Sequence, residues 1–564
     1  MALYEKYIGC SRDDFKSLED LQKNYKITYP DNFNFAYDCI DLLGEEKPDK
    51  LAMVWVSKDN EEKRFTFRDM SLYSNMAANY LTSLGIKKGD RVLLVLKRSY
   101  LFWFIMLGLH KIGAIAVQAT AMMTAKDYVY RCNRAKIKAA IITGDDDCTE
   151  HFDMGNPNYE TIELKLVTKH KNAGPDWIDF EEGFFKSSTE WKRPTGKGAT
   201  KADDIMFIAF TSGTTGYPKI ITHDFKYPLG HIMTGVFWHR VIDGGLHFTV
   251  SDTGWMKSMW GKMYGQWFGE TALFVYDFDK FDGADILSKL EKYKITTFCV
   301  PPTMYRLILQ NDVSKYDLSS IKHCCTAGEA LNPEIYNSWY KATGLKIYEG
   351  FGQSETPVCI CTLYPWMEPI PGAIGLPAPG YDVHIIDADN KHCQRGTVGE
   401  ICIRVKSMHE KPCGLICSYN ENKEDTKKAF HNGFYHTGDT AYRDEHGYFR
   451  YVGRNDDVIK SSGYRIGPFE IESVMLEHPS VLEVAVTGVP HPVRGFVVKA
   501  TVVLKPGYEG SEELKKELQE YVKHNTAPYK YPRIVEFVKE LPKTFSGKIK
   551  RAEIRKQDME KAES

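Results

Sequence analysis

The chain lacks an excess of charge of either sign. Its 73 basic and 75 acidic side chains leave a formal net charge of -2 at pH 7. A strongly basic surface is the usual footprint of proteins that bind nucleic acid or anionic membranes. The composition therefore predicts no nucleic-acid partner, and the local Lys and Arg clusters in residues 523–530 and 539–555 are typical of solvated helix faces.

The 13 cysteines lack the paired spacing of a disulfide ladder or a zinc motif; Cys324 and Cys325, for example, are adjacent. Free thiols are typical of a reducing compartment. Residues 1–10 include Glu5 and Lys6 and have no apolar segment, so they indicate neither a secretory signal nor an arginine-rich transit peptide. On these grounds the sequence predicts a cytoplasmic protein.

The chain also lacks an apolar run long enough to cross a membrane. Its most hydrophobic stretch, Leu101 to Val117, is short for a span and is interrupted by His110 and Lys111. We expect a buried helix there, after a strand in residues 91–97, and no stable membrane insertion. With 564 residues the chain can bury a large core, which predicts two or more modules.

Helix and strand patterns alternate where the sequence is most regular. Residues 284–293 have helical periodicity, residues 296–300 resemble a strand, and Pro301-Pro302 is a typical helix start. This alternation is characteristic of a layered α/β domain.

The first chemical signal is a run rich in glycine and hydroxyl side chains, Thr211, Ser212, Gly213, Thr214, Thr215 and Gly216, that ends with Lys219. It is not a Walker A loop, because Pro218 replaces the second glycine and Ile220 the magnesium-binding hydroxyl. The apolar residues 205–210 predict a buried strand before it, so the loop would leave a strand end, where α/β proteins bind anions through backbone N–H groups. A solvated turn is the alternative.

A second run of this kind, residues 542–550 (PKTFSGKIK), places Lys548 near the other end of the chain. A lysine of one module reaches an anion held by another module only when the two modules dock. The two runs together indicate a nucleotide enzyme whose catalytic state depends on a domain movement.

Five further runs occur in a fixed order: 326–331 (TAGEAL), 348–356 (YEGFGQSET), 435–439 (YHTGD), 453–457 (GRNDD) and 462–465 (SGYR). With the two runs above they resemble the motifs of the adenylate-forming (AMP-binding) superfamily, and within it the medium-chain acyl-CoA synthetases. The resemblance covers nearly the whole chain. It implies a large multi-layer α/β domain in residues 1–455 and a small mobile α+β domain in residues 456–564, with the hinge at Asp456.

The resemblance also implies roles for single residues. Lys548, Thr356 and Glu355 would be catalytic, Glu355 with Mg²⁺, and Asp439 would accept hydrogen bonds from the ribose hydroxyls. Taken alone, Asp439 is more typical of a turn than of a ligand-binding site. The residues implied to hold ATP or AMP are Thr211, Ser212, Gly213, Thr214, Thr215, Gly216, Lys219, Gly328, Glu329, Ala330, Glu349, Gly350, Phe351, Gly352, Gln353, Ser354, Thr356, Asp439, Arg454 and Arg465.

For CoA, the resembling positions are Ser462, Gly463, Tyr464, Arg494, Tyr531 and Arg533. Gly463 leaves room for a pantetheine arm beside the backbone. For the acid, Trp255 and Trp260 are the pocket candidates, since an aromatic wall suits an apolar tail; core packing is the alternative. No basic residue is evident as a partner for a second carboxylate, which disfavours dicarboxylic acids.

The resemblance therefore implies an AMP-forming acyl-CoA synthetase of fatty acid metabolism that activates a short- to medium-chain or branched acid with ATP, Mg²⁺ and CoA. The alternatives are an aromatic acid, a carrier-protein thiol as acceptor, or a nucleotide-binding regulator without turnover. The sequence leaves open whether the protein forms a homodimer and whether a lysine acetyltransferase and deacetylase act on Lys548.

Overall fold

The structure, a computed structural model, describes residues 1–170, 173–211, 218–420, 422–461, 464–491, 494–543 and 549–563. Within these ranges the chain forms 27 β-strands. They are β1 Leu51–Ser57, β2 Glu62–Thr66, β3 Arg91–Val95, β4 Ile115–Gln118, β5 Ala139–Thr143, β6 Leu164–Thr168, β7 Ile178–Asp179, β8 Ile205–Thr211, β9 Lys219–Asp224, β10 Leu246–Thr249, β11 Ala272–Asp277, β12 Thr297–Cys299, β13 His323–Ala327, β14 Ile347–Gln353, β15 Thr356–Cys361, β16 Leu376–Pro377, β17 Val383–Ile386, β18 Gly399–Arg404, β19 Ser418–Tyr419, β20 Phe430–His431, β21 Phe434–Arg443, β22 Phe449–Arg454, β23 Ile459–Ser461, β24 Tyr464–Ile466, β25 Val481–His491, β26 Gly495–Leu504 and β27 Ile534–Phe537.

The same ranges contain 18 α-helices, several of them only one or two turns long. They are α1 Glu5–Ile8, α2 Leu18–Asn24, α3 Leu42–Glu46, α4 Phe67–Ser83, α5 Leu101–Ile112, α6 Ala125–Ala135, α7 Cys148–Asp153, α8 Phe180–Phe184, α9 Tyr227–Ile232, α10 Met256–Gly261, α11 Tyr264–Phe268, α12 Gly283–Lys292, α13 Pro302–Ile308, α14 Pro333–Thr343, α15 Lys423–Ala429, α16 Pro468–Glu477, α17 Glu512–Asn525 and α18 Arg551–Glu563. A π-helical segment, Met233–Trp238, follows α9.

The strands form four sheets. The first has the order β16-β15-β14-β13-β12-β10-β11-β1-β2, and the second has the order β19-β9-β8-β4-β3-β5-β6-β7. Both are parallel in their central part; the first is antiparallel at both edges, whereas the second is antiparallel only at its β8–β9–β19 edge. The third sheet, β17-β18-β21-β20 with β22 beside β21, is antiparallel. The fourth, β24-β23-β26-β25 with β27 beside β26, is built entirely from residues after 456.

Local sequence explains the best-defined elements. Thr66 and Asp69 form a reciprocal capping box that begins α4. Every residue of α5 is buried, as expected of a helix that is apolar on all sides. Gly113, with a φ of +79°, ends α5 in the left-handed conformation that glycine favours. The predicted buried helix is therefore present, but its apolar run continues into a strand, β4.

The described helices include none with the length and apolar character needed to cross a membrane. All 13 cysteines are free thiols. The parallel strands β8, β10, β12, β13 and β14 end at one region, which is the usual position of a ligand site in α/β sheets.

Candidate active site

A cavity of about 690 Å³ lies where these parallel strands end. Its wall includes Thr211 at the end of β8, Ala327 at the end of β13 and Gln353 at the end of β14. Asp439 of β21 and residues of α16 complete the wall from the third sheet and the C-terminal region. The fold thus brings motifs from distant parts of the sequence to one place.

The β14–β15 hairpin carries the predicted catalytic carboxylate at its tip. Gln353 pairs with Thr356 across a two-residue turn, Ser354-Glu355, and the Gln353 N–H donates to the Thr356 hydroxyl at 3.0 Å. The Tyr419 hydroxyl donates to Oε1 of Glu355 at 3.3 Å. Burial raises the pKa of Glu355 above its usual range. Glu355 is therefore a positioned carboxylate whose charged form a bound cation would stabilise.

Asp439 is the centre of a polar network on the cavity wall. It lies opposite Arg454 in the β21–β22 ladder, and Arg454 Nη1 is 3.4 Å from Asp439 Oδ2. The Tyr451 hydroxyl donates to Oδ1 at 2.8 Å, and the Gln353 side-chain amide also donates to this carboxylate. Gly438 has a φ of +73°, and an added Cβ would lie 3.0 Å from Arg454 Nη2, so glycine leaves room for the guanidinium. The network holds Asp439 as a rigid acceptor.

Glu349 lies deeper in the same wall. Its Oε1 accepts a hydrogen bond from the Leu331 N–H at 3.0 Å. Burial raises the pKa of Glu349 from 4.5 to about 8. A buried carboxyl is most stable when neutral, so burial favours the protonated form of Glu349.

Seven more residues of the predicted nucleotide set also line the cavity: Gly328, Glu329, Ala330, Gly350, Phe351, Gly352 and Ser354. Thr211 and Lys219 pair at the open end of the β8–β9 ladder, and both are wall residues. Ser212, Gly213, Thr214, Thr215 and Gly216, which connect them, lie outside the described residues. That these residues bind the phosphates of the nucleotide stays a prediction.

The predicted acyl residues form another part of the wall. Trp255 and Trp260 both line the cavity beside Met256, and the Trp260 ring centroid lies 6.0 Å from that of the fully buried Trp238. Lys257, on the same turn of α10, has its Nζ 5.5 Å from the Trp260 ring centroid. Lys257 is therefore a basic residue on the cavity wall that the sequence analysis did not single out. The short helix α10, with Trp255 as its N-cap, places the lysine and both tryptophans on the same cavity wall.

The C-terminal region meets the cavity at several points. Lys543 and Ile549 form an isolated antiparallel bridge and both line the wall, while Lys548, between them in sequence, lies outside the described residues. Lys543 Nζ is 2.7 Å from Glu483, whose carboxylate also lies 3.4 Å from Arg306 of α13. An ion triad thus joins the motif around Lys548 to the N-terminal part of the chain.

Of the predicted CoA residues, Arg494, Tyr531 and Arg533 have described side chains, and none of these three is among the residues of the cavity wall. Tyr531 and Arg533 contact each other instead, with the Arg533 Nη1 donating to the Tyr531 hydroxyl at 2.7 Å, and Arg494 is exposed. Ser462 and Gly463 lie outside the described residues. Tyr464 and Arg465 contribute backbone to β24, but their side chains lie outside what the structure describes. Asp456 lies in an exposed turn directly after β22.

Sequence motifs missed three side chains that position the predicted ones. Tyr451 and Tyr419 hold the carboxylates of Asp439 and Glu355, as described above. His223, buried in β9, has Nε2 2.8 Å from the Ser354 carbonyl and so fixes the hairpin tip. Of these three residues, Tyr451 was the one whose position near the site could have been inferred from the sequence, because it lies shortly before the Gly453-Arg454 motif on the same strand.

Comparison with known proteins agrees with this geometry. A family model described as AMP-binding enzyme matches residues 43–410, and one described as AMP-binding enzyme C-terminal domain matches residues 470–548. The chain belongs to the AMP-binding enzyme family.

Two relatives and one solved structure illustrate the likeness. The mitochondrial acyl-coenzyme A synthetase ACSM3 of Mus musculus is 42% identical over 99% of this chain and 96% of its own length. The mitochondrial acyl-coenzyme A synthetase ACSM5 of Homo sapiens is 39% identical over 94% of this chain and 91% of its own length. The anthranilate CoA ligase AuaEII in complex with anthranoyl-AMP is 28% identical, with a TM-score of 0.86, covering 95% of this chain and 99% of that structure.

These comparisons confirm the predicted α/β fold with a large N-terminal part and a smaller C-terminal part. They also confirm an AMP-forming acyl-CoA synthetase, for which ATP, Mg²⁺ and CoA are the expected cosubstrates. A regulator without turnover is accordingly disfavoured. The domain boundary and the roles of single residues stay predictions.

The prediction of a cytoplasmic protein is contradicted, because the ACSM3 and ACSM5 relatives are both named mitochondrial. It rested on the absence of an obvious targeting pattern and on free cysteines. Free thiols are typical of reducing compartments in general, so cysteine usage alone did not favour one such compartment over another.

Proposed function

We propose that this enzyme activates a short- to medium-chain or branched carboxylic acid, first as an acyl-adenylate and then as a CoA thioester. The composition of one cavity supports the proposal. Part of its wall is aromatic and apolar, with Trp255, Met256 and Trp260, and another part carries Asp439 and Arg454. An apolar tail and a nucleotide would lie side by side there, with the carboxylate of the acid between them.

In the first half-reaction, a carboxylate oxygen attacks the α-phosphorus of ATP, and the bond to the bridging oxygen breaks to release pyrophosphate. Attacking group and target are both anionic, so catalysis depends on neutralising and aligning charge. Lys548 would place its ammonium between the two anions, and the Thr356 hydroxyl would donate to an α-phosphate oxygen. Mg²⁺ enters with ATP, and Glu355 offers the hard oxygen ligand that this ion prefers.

In the second half-reaction, the CoA thiolate attacks the acyl carbonyl and AMP leaves. We assign this step to a second arrangement of the C-terminal residues 456–564 about the N-terminal residues 1–455, reached by rotation at Asp456. The proposed CoA residues are Ser462, Gly463, Tyr464, Arg494, Tyr531 and Arg533. Arg494, Tyr531 and Arg533, whose side chains the structure describes, lie away from the present cavity wall, which suits a step that needs another arrangement.

A carboxylate panel tests the proposal. Straight-chain acids from acetate to decanoate, branched acids and aromatic acids are compared by AMP release, with and without CoA. We expect the highest kcat/KM among the short- to medium-chain or branched acids, with sustained turnover only in the presence of CoA. A preference for another acid class, or turnover that is indifferent to CoA, would overturn it.

An aromatic acid is the second candidate substrate. It is supported by the structural likeness to a ligase that acts on anthranilate, and by the tryptophan side chains of the wall, which would stack on an aromatic ring. The same panel decides between the two, because anthranilate and benzoate are among its members.

Two finer proposals concern partners. Acetylation of Lys548 would remove the ammonium charge that adenylation needs, so an acetyltransferase and a deacetylase would switch the enzyme off and on. Mass spectrometry of the peptide containing Lys548, before and after deacetylase treatment, tests this proposal.

We also propose that the enzyme forms a homodimer. Sedimentation equilibrium tests this second proposal by measuring the mass of the particle in solution.

A further inference from the structure

Three side chains with metal-binding chemistry converge in the third sheet, on the flank of β21 before it reaches Asp439. Glu400 and Cys402 belong to β18, and His436 belongs to β21. Cys402 and His436 are direct partners in the antiparallel register. Cys402 Sγ lies 3.4 Å from His436 Nδ1, which in turn lies 3.1 Å from Glu400 Oε2, and the three ligand atoms are all within 4.8 Å of one another.

The three groups are held in place by their surroundings. Cys402 is fully buried, the His436 side chain is 10% exposed and the Glu400 side chain is 23% exposed. The Gly438 N–H donates to Oε1 of Glu400 at 2.7 Å, which leaves Oε2 directed at the histidine. The His431 ring stacks on that of His436 at 3.7 Å, with an interplanar angle of 7°. Packing and a backbone donor therefore hold Glu400 and His436 in place, while Nε2, the second ring nitrogen of His436, is buried with no hydrogen-bond partner among the described residues.

Hydrogen bonding pairs Nδ1 of His436 with only one of its two neighbours at a time. Nδ1 of His436 carries either a proton or a lone pair. With a proton, it has one hydrogen to share between the carboxylate and the sulfur. With a lone pair, it accepts from the thiol but faces a carboxylate oxygen at 3.1 Å with no hydrogen between them. A cation among a thiolate, an imidazole lone pair and a carboxylate satisfies all three groups at once.

We propose that Glu400, Cys402 and His436 form a Zn²⁺ site that joins β18 to β21, with water as the fourth ligand. Thiolate, imidazole and carboxylate are the ligands that Zn²⁺ takes in proteins. Tetrahedral Zn²⁺ with ordinary bond lengths places neighbouring ligand atoms about 3.3 to 3.6 Å apart. The Sγ to Nδ1 and Nδ1 to Oε2 separations are close to that range.

The site has a consequence for the known reaction. His436 is followed directly by Thr437, Gly438 and Asp439, and Asp439 N–H donates to the Thr437 hydroxyl at 3.1 Å. A metal bound at His436 would restrain the segment that carries Asp439 without touching the substrates. The ion would therefore act as a structural cross-link between β18 and β21.

The test uses the full-length enzyme, stripped with chelator and dialysed against buffered Zn²⁺, with bound metal measured by elemental analysis. We expect one equivalent per chain. Cys402→Ser and His436→Gln should each lower the affinity at least roughly tenfold. Two controls remove neighbouring metal-binding groups outside the cluster: Cys393→Ser, a buried thiol, and His392→Gln, whose ring lies 4.6 Å from that of His384. Both should keep wild-type stoichiometry and affinity.

A measurement on the wild type tests the proposal even if the variants do not fold. Co²⁺ bound at this site should show the near-ultraviolet charge-transfer absorption of a thiolate ligand, and Zn²⁺ should displace it. The proposal is overturned if the wild type binds no stoichiometric Zn²⁺, if the Co²⁺ complex lacks thiolate absorption, or if Cys402→Ser binds Zn²⁺ like the wild type.

Discussion

Glu349 is a buried carboxyl group at the edge of the nucleotide site, and its pKa of about 8 makes the stability of the fold depend on pH. Because this pKa is higher in the folded than in the unfolded chain, the folded state holds more protons between pH 4.5 and 8. The stability contributed by neutral Glu349 is thus complete below pH 4.5 and is lost as the pH rises through 8.

We therefore expect Glu349→Gln to reduce the pH dependence of unfolding. Glutamine keeps the acceptor oxygen for the Leu331 N–H but does not titrate. The wild type should lose up to about 1.4 kcal/mol of unfolding free energy per pH unit more than the variant in this window. Urea unfolding from pH 5 to 9 measures the difference, and parallel pH profiles for the two proteins would contradict it.

Asp439 is predicted to bind the ribose hydroxyls, and Tyr451 to hold it in place. Asp439→Asn removes the charge and one acceptor, so we expect a loss of about 2 to 3 kcal/mol, or roughly 30- to 150-fold in kcat/KM for ATP. Tyr451→Phe removes one donor to the carboxylate and should cost about 1 kcal/mol, roughly fivefold. Acid-dependent ATP–pyrophosphate exchange measures both, and a larger effect of Tyr451→Phe would refute the assignment.

At the scale of elements, we propose that α10 determines the depth of the pocket for the acid. Trp260→Ala removes an indole from the cavity wall, so the optimum should move to longer acids. Each additional buried methylene is worth about 0.8 kcal/mol, or roughly fourfold in kcat/KM. Trp260→Phe, which removes less volume, is the graded control and should shift the optimum less. An unchanged chain-length profile in an active Trp260→Ala enzyme would exclude Trp260 from the pocket.

The ion triad of Arg306, Glu483 and Lys543 joins α13 to the C-terminal region in this arrangement. Arg306→Met keeps the length of the side chain but removes its charge. We expect the adenylation rate to fall about fivefold, because a partly buried ion pair contributes on the order of 1 kcal/mol. Thioester formation from preformed acyl-AMP should be unaffected. Rapid-quench kinetics measure the rate of each half-reaction in the variant. If adenylation and thioester formation slow by the same factor, the triad does not distinguish the two arrangements.

At the scale of the whole molecule, the two half-reactions should separate by mutation. Lys548→Ala should abolish most adenylation, since it removes the cation between two anions, yet it should still convert preformed acyl-AMP and CoA to thioester at a rate near wild type. Gly463→Leu should have the opposite effect to Lys548→Ala. A leucine side chain in the proposed pantetheine path should impair thioester formation and leave adenylation intact. If both half-reactions fall by similar factors in each variant, the proposed rotation at Asp456 is wrong.

The sequence by itself determined the family and the order of the main elements. Thr211 to Lys219, Gly328 to Ala330 and Gly438-Asp439 combine glycines, hydroxyls and charges at spacings that few other functions require. The strand before the first loop and the helix at α5 followed from continuous apolar runs. Those runs did not separate α5 from β4, because a fully buried helix and a fully buried strand share the same composition, and only Gly113 marks the change.

Tertiary structure alone decided the chemistry of each site. Burial set the pKa of Glu349, and the cross-strand register placed Cys402 beside His436, 34 positions away. The turn of α10 brought Lys257 to the cavity wall beside Trp260, where the sequence showed only an aromatic cluster. The physical reason is common to all three. Solvation, register and side-chain direction depend on neighbours that are distant along the chain, so no local pattern encodes them.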